Sequence, residues 1–140
     1  MKPRVKVAAL IAIVIALLSH TIAVEILPTV EMSAAVFQGE VLSNNMLHTS
    51  TNSRMVSVLY ASDIRVTKAF KQDAALGKEV TIYYRDYPWV VCPRSPSLRQ
   101  GDAGTFYCTR ATIPDLMIPR SNQVLYLPSA SWFKPPSKAE

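Results

Sequence analysis

The chain has 140 residues, of which 49% are hydrophobic and 18% charged, and its formal net charge is +5 at pH 7. Three of the basic residues, Lys2, Arg4 and Lys6, stand at the N-terminus, and the rest of the chain holds 12 basic and 10 acidic residues, a balance of +2. No cluster of more than two basic residues follows position 6. Because nucleic-acid binding relies on such clusters to track phosphates, we expect no nucleic-acid partner.

The N-terminal segment 1–23 differs in composition from the rest of the chain. Its basic start is followed by the uncharged run VAALIAIVIALLSHTIA, which ends at Ala23. This is the pattern of a secretory signal peptide with a small residue at the cleavage site. The same run is borderline for a membrane-spanning helix, which needs about 20 apolar residues. Under both alternatives the basic start stays cytoplasmic, so the remainder is predicted to be exported, to the periplasmic or extracellular face of the membrane.

Two cysteines, Cys92 and Cys108, lie in the predicted exported part. An oxidising compartment favours a disulfide between them, and closing this loop would contribute about 3 kcal/mol. A thioredoxin-like redox pair is not indicated, because the C-x-x-C spacing is absent. A zinc site needs about four ligands, and His48 is the only histidine outside the apolar segment. The sequence therefore predicts a structural disulfide and no metal.

Short runs of β-branched and aromatic residues with alternating polarity predict strands along most of the chain. These predicted strands are 34–43, 55–70, 79–87, 103–111 and 122–130. Gly39 inside the first strand indicates a bulge or bend, and the polar segment 44–54 reads as an exposed hairpin loop. Strand alternation also requires Tyr83 and Tyr84 to point to opposite faces. Asp102 is best explained as a turn residue of the run QGDAG. Five strands separated by turn signals are typical of a small all-β barrel or sandwich.

Four of these runs resemble a known class of barrels. The runs VFQGEVLS, SDIRVTKAFK, GKEVTIYYR and C…LRQGDAGTFYC, within about 35–110, resemble the OB-fold barrel of the netrin and tissue-inhibitor-of-metalloproteinase-like class. The resemblance implies a five-stranded OB-like barrel that binds a partner rather than catalysing a reaction. Inhibitors of that class chelate a metal through an N-terminal cysteine, whereas the first cysteine here is Cys92. Gln72 also replaces the usual glycine after F-K, and an inhibitor function is therefore not carried over.

The predicted fold is thus all-β, a small five-stranded OB-like barrel preceded by an N-terminal hydrophobic helix. The predicted divisions are 1–23 as a signal peptide or single membrane-spanning anchor, 24–34 as a linker, 35–130 as the OB-like barrel and 131–140 as an extended Pro-rich tail.

Catalysis is not predicted for this chain. His48 is the only candidate imidazole base in the predicted exported part, and its polar surroundings favour a solvated loop histidine. No G-x-S-x-G, H-E-x-x-H or Gly-rich phosphate loop occurs. We therefore predict a non-catalytic protein without a cofactor.

Four aromatic residues are the candidates for contacting a protein partner: Tyr87, Trp89, Trp132 and Phe133. Tyrosine and tryptophan dominate the residues that contribute most to binding energy at interfaces. The Trp132–Phe133 pair follows the last predicted strand in a Pro-rich tail, where a finished barrel would bury it poorly.

Two functions are compatible with these features. In the first, the chain is an accessory subunit anchored by its N-terminal helix, and its β domain packs on the outer, periplasmic face of a membrane protein complex. In the second, cleavage after Ala23 releases a soluble periplasmic or secreted binding module. The two alternatives differ in whether 1–23 is retained.

Overall fold

The computed structural model describes residues 26–52, 55–72, 76–116 and 123–136. The predicted hydrophobic helix at 1–23 lies outside these residues. Against the predicted transmembrane helix, none of the helical structure in the described ranges has the length and apolarity needed to cross a bilayer.

The described part of the chain is mostly β-structure, which confirms the predicted class. Its elements in chain order are β1 (Ala35–Asn52), β2 (Met55–Gln72), β3 (Glu79–Asp86), β4 (Ala103–Ala111), β5 (Val124–Tyr126), a single 3-10 turn (Ala130–Trp132) and β6 (Phe133–Lys134). The sheet therefore has six strands among the described residues where five were predicted. The additional strand comes from the C-terminal segment that the sequence indicated would be an extended tail.

The strands form a ring-like sheet and not a barrel. Their order is β1-β2-β3-β5-β4-β6, and β1 also pairs with β4, so the pairings of the first five strands return to the starting strand. All pairs are antiparallel except β3 with β5, which is parallel. That parallel contact contains only two residue pairs, Ile82↔Leu125 and Tyr83↔Tyr126. The ring is therefore held mainly by the long β1–β2 and β2–β3 ladders, and its β3–β5 side is narrow.

Alternation along the strands builds the core. On β3, Ile82 and Tyr84 are buried while Tyr83 is only half-buried, which confirms that the two adjacent tyrosines point to opposite faces. On β4, Phe106 and Cys108 are buried in the same manner. The buried core cluster consists of Ala35, Phe37, Val41, Ile64, Ile82, Tyr84, Leu98, Phe106, Cys108, Leu125, Leu127 and Trp132.

Stacked phenylalanines join β1, β4 and β6. The rings of Phe37 and Phe106 lie 5.4 Å apart between centroids, and those of Phe106 and Phe133 lie 4.7 Å apart. Aromatic pairs at this separation contribute about 0.5–1.5 kcal/mol beyond their buried area. Phe106 therefore links the β1–β4 junction to the C-terminal segment.

The predicted bulge at Gly39 is confirmed, because the β1–β2 register shifts between Gln38 and Gly39. A Cβ atom at Gly39 would stand 2.7 Å from the main-chain oxygen of Arg65, so only glycine allows β1 to approach β2 this closely. The predicted turn at Asp102 is also confirmed. Its carboxylate accepts a hydrogen bond from the main-chain N–H of Arg99 at 2.8 Å, and its own N–H donates to the Arg99 carbonyl oxygen.

The predicted loop 44–54 is wrong for most of its length, because β1 continues to Asn52. The polar side chains of this segment are compatible with a strand, since threonine favours extended backbone and β2 supplies a complete partner ladder. Thr49 pairs with Val58, Ser50 with Ser57 and Asn52 with Met55. Both β1 and β2 therefore reach 18 residues.

The predicted disulfide between Cys92 and Cys108 is not formed. The alternation of β4 directs the Cys108 side chain into the core, where it is fully buried, whereas Cys92 is exposed on the loop after β3. Cysteines whose side chains point apart in this way do not reach bonding distance without main-chain movement. Burial raises the pKa of the Cys108 thiol to about 12, so the thiol stays protonated and acts as a small apolar core side chain.

Candidate partner-binding surface

The C-terminal aromatic pair packs against the protein's own sheet. Trp132 is only 7% exposed and belongs to the core cluster. Phe133 is half-buried and contacts Phe106. This burial differs from the surface position that the sequence indicated, because β6 pairs with β4 at Thr105↔Lys134 and Phe106↔Phe133 and draws the pair inward. Neither residue contributes to the surface described below.

The loop that follows β3 exposes large apolar side chains. Trp89 is 81% exposed and Val91 is 88% exposed. A turn fixes this loop, since the main-chain N–H of Val90 donates to the Tyr87 oxygen at 3.0 Å. The N–H of Tyr87 donates to Ser95 Oγ at 2.9 Å, and Tyr87 itself is half-buried. Tyr87 therefore helps to hold the loop, and Trp89 projects from it.

A second set of exposed apolar side chains lies on the far part of the β1–β2 hairpin. We define the arm as residues 45–52 and 55–57. The arm carries Met46, Leu47 and Met55, each about half exposed or more. The last β2–β3 pair joins Val58 to Asp86, and Val58 pairs with Thr49, so the tip of the arm, 50–52 and 55–57, extends past the end of β3.

The arm and the Trp89 loop lie at the same end of the sheet. Asp86, the last residue of β3, pairs with Val58 next to the arm, and the loop begins at the following residue. We call the five exposed apolar side chains there the apolar end: Met46, Leu47, Met55, Trp89 and Val91. Large exposed apolar groups gathered in one region mark interaction sites more often than isolated ones do.

A buried polar cluster holds both parts of the apolar end. Asn44 Oδ1, at the base of the arm, accepts hydrogen bonds from Ser62 Oγ at 2.6 Å and from the Tyr84 hydroxyl at 2.8 Å. The Tyr84 oxygen accepts in turn from the main-chain N–H of Leu98, where the loop returns to the core. Burial raises the pKa of Tyr84, so the phenol keeps the proton that it donates to Asn44. The cluster therefore joins the start of the arm, at Asn44, to the returning end of the loop, at Leu98.

A matching network crosses the same three strands on their other face. Ser43, Asp63 and Thr81 stand opposite one another in register. Asp63 accepts hydrogen bonds from Ser43 Oγ at 3.0 Å and from Thr81 Oγ1 at 2.7 Å. Its carboxylate therefore joins β1, β2 and β3 through side-chain hydrogen bonds.

Groups suited to metal binding are not gathered in the described part of the chain. No set of three or more His, Cys, Asp or Glu residues lies close enough there to hold a metal ion. His48 is exposed on the arm, and Asp102 is used by its turn. A cleft of about 500 Å³ opens between β3 and β5 and is lined by side chains such as Val80, Tyr83 and Leu125. It is an open groove away from the apolar end.

Comparison of the chain with family models, with curated proteins and with solved structures found no match. The argument for function therefore relies on the surface itself. Sequence reasoning identified Trp89 but missed Met46, Leu47, Met55 and Val91. The available signal was the run MVSVLY directly after the polar segment, which offers that segment a complementary strand.

Proposed function

We propose that this chain is an exported, non-catalytic binding protein that contacts a protein partner through the apolar end. The observation that carries the proposal is the exposure of Trp89 and Val91 at the end of the sheet where the arm exposes Met46, Leu47 and Met55. Burying a tryptophan removes about 150–250 Å² from water, and an anchor of this kind contributes at least about 2 kcal/mol to a typical interface.

The preorganisation of the surface supports the same function. An interface side chain on a fixed loop loses less conformational entropy on binding than one on a mobile loop. Here the hydrogen bonds of Tyr84 to Asn44 and of Leu98 to Tyr84 hold the arm and the loop before any partner arrives. This arrangement is suited to binding and supplies no reacting group.

We also propose that the strands of the ring are arranged as in an OB-fold. The closed order β1-β2-β3-β5-β4 and the parallel β3–β5 contact support it. In OB-folds the face of the second and third strands and the β1–β2 and β4–β5 loops carry ligand binding. The arm is the β1–β2 connection of this chain, and its position agrees with such a use.

We expect the partner on the exported side of the membrane, because the basic start and apolar run of 1–23 predict export. An accessory subunit on the outer face of a membrane protein complex and a released binding module would use the same surface. They differ in the partner, which is a complex subunit in the first case and a soluble protein in the second.

Trp89→Ala is expected to abolish partner recovery when the tagged full-length chain is purified from its native cells after mild cross-linking. A loss of about 2 kcal/mol or more of binding free energy corresponds to a complex that is at least about 30-fold weaker. Phe70→Ala is the matched control, because Phe70 is 49% exposed near the opposite end of β2. A protein recovered equally with the original chain and with Trp89→Ala would contradict the proposal, as would loss with Phe70→Ala alone.

A further inference from the structure

Among the described residues, the outer edge of β1 has no partner strand along the arm. β4 pairs with β1 only from Ala35 to Glu40, and hydrogen bonds of Val41 with Gly101 and Asp102 end that contact. From Ser43 onward, none of the strands in the described ranges lies on this side of β1. An open strand edge presents unpaired main-chain N–H and C=O groups that can pair with another chain.

This edge has few of the features that usually protect strand edges. Protected edges carry charged residues, prolines or bulges. The stretch 41–53 contains neither a charged residue nor a proline. Register shifts do occur between Val41 and Ser43 and between Met46 and His48. After the second shift, 48–52 runs in regular register with β2, which leaves a regular, uncharged edge of five residues.

We propose that the 48–52 edge pairs antiparallel with the same edge of a second copy of this chain, with Ser50 on the two-fold axis. In that register Ser50 stands opposite Ser50, Thr49 opposite Thr51, and His48 opposite Asn52. Cross-strand pairs of threonine and serine are favourable, and no charge opposes a like charge. An isologous contact of this kind closes at two chains.

The second copy fits this edge better than an arbitrary partner strand does. Any occupant must supply an extended segment, and the chain's own 48–52 is extended, uncharged and able to pair serine with serine and threonine with threonine across the axis. Outside 1–23 the chain has a balance of +2, which opposes the association of two copies only weakly. The arm reduces this repulsion further. It runs three residues, about 10 Å, past Val58, so the main parts of the two sheets stay about a Debye length or more apart. This inference uses main-chain groups and is independent of the proposed function of Trp89.

The test is the mass of the purified full-length protein by light scattering over a wide range of concentration. The original chain is expected to have the mass of two chains, and Ser50→Lys the mass of one, because two lysines would meet on the axis. Ser50→Thr keeps the uncharged pairing and is expected to retain the mass of two chains. A single-chain mass for the original protein at every concentration, or a two-chain mass for Ser50→Lys, would overturn the proposal.

A cross-linking measurement covers the case in which lysine at position 50 prevents folding. In a chain carrying Cys92→Ser, Ser50→Cys is expected to form an intermolecular disulfide on mild oxidation, since opposed residues lie within bonding distance. Thr67→Cys, at an exposed position toward the other end of β2, is the control and should stay uncross-linked. Equal cross-linking of the two variants, or arm amides that gain exchange protection only when a partner is added, would refute self-pairing. Trp89→Ala should leave the mass at two chains, which separates this result from the proposed function.

Discussion

Replacing Phe106 with alanine is expected to lower the free energy of unfolding by about 3–5 kcal/mol, the usual cost of deleting a buried phenylalanine. Phe106 is fully buried, stacks on Phe37 and packs against the tilted ring of Phe133. Its removal leaves a cavity where β1, β4 and β6 meet and weakens the junction that returns the ring to β1. Net stabilities of about 5–15 kcal/mol are typical, so this loss is a large fraction of the total.

The measurement is denaturant unfolding of the full-length chain followed by tryptophan fluorescence. Trp132 is buried near the same junction and reports on its loss. Phe70→Ala is the control for the same chemical change at an exposed position, and it is expected to alter stability by about 0.5 kcal/mol or less. Equal destabilisation by the two substitutions would show that the described core is misplaced.

Gly39→Ala is expected to destabilise the protein by up to about 3 kcal/mol, the upper range for forcing extra volume into a packed core. The added Cβ would lie 2.5 Å from Ile64 Cγ2 and 2.7 Å from the main-chain oxygen of Arg65. The Ile64 side chain can rotate away, but the Arg65 carbonyl can move only if the β1–β2 ladder moves. The bulge at Gly39 is the point where this ladder shifts register.

Gly77→Ala is the matched control. A Cβ atom there would meet nothing closer than the Glu79 oxygen at 3.4 Å. A glycine replaced at such a tolerant position usually leaves stability unchanged or raises it slightly, through the unfolded state. Thermal unfolding of the two variants measures the difference. A melting temperature for Gly39→Ala equal to that of Gly77→Ala would contradict the close approach of β1 and β2.

Alternation in the sequence predicted those parts of the fold in which a residue's environment follows from its neighbours. The opposite orientations of Tyr83 and Tyr84, the bulge at Gly39 and the turn at Asp102 are of this kind. Each depends on local main-chain geometry, which residue type and spacing largely determine.

The errors concern pairings between distant residues. The segment 44–52 is polar and resembles a loop, yet 55–61 offers it a ladder that composition alone does not reveal. Cys92 and Cys108 are spaced for a disulfide, but the burial of Cys108 depends on the alternation of β4 across the whole ring. The placement of Trp132 in the core likewise depends on β6 pairing with a strand about 30 residues earlier.

The candidate surface was predicted only in part for the same reason. Trp89 was identified because tryptophan is one of the residue types that dominate binding energy at interfaces. Met55 becomes part of the surface because β3 ends at Asp86 and supplies no partner to 55–57, whereas Met46 and Leu47 lie at the register shift between β1 and β2.

The measurement that tests the central claim most directly is site-specific photo-cross-linking in the native cells. A photoreactive phenylalanine analogue is incorporated at position 89 in one sample and at position 70 in another. Both positions are exposed, and they lie toward opposite ends of the sheet formed by β2 and β3. We expect a discrete adduct of higher mass with the probe at position 89 and none of that mass with the probe at position 70. The same adduct from both positions, or an adduct from position 70 alone, would contradict a partner surface at the apolar end.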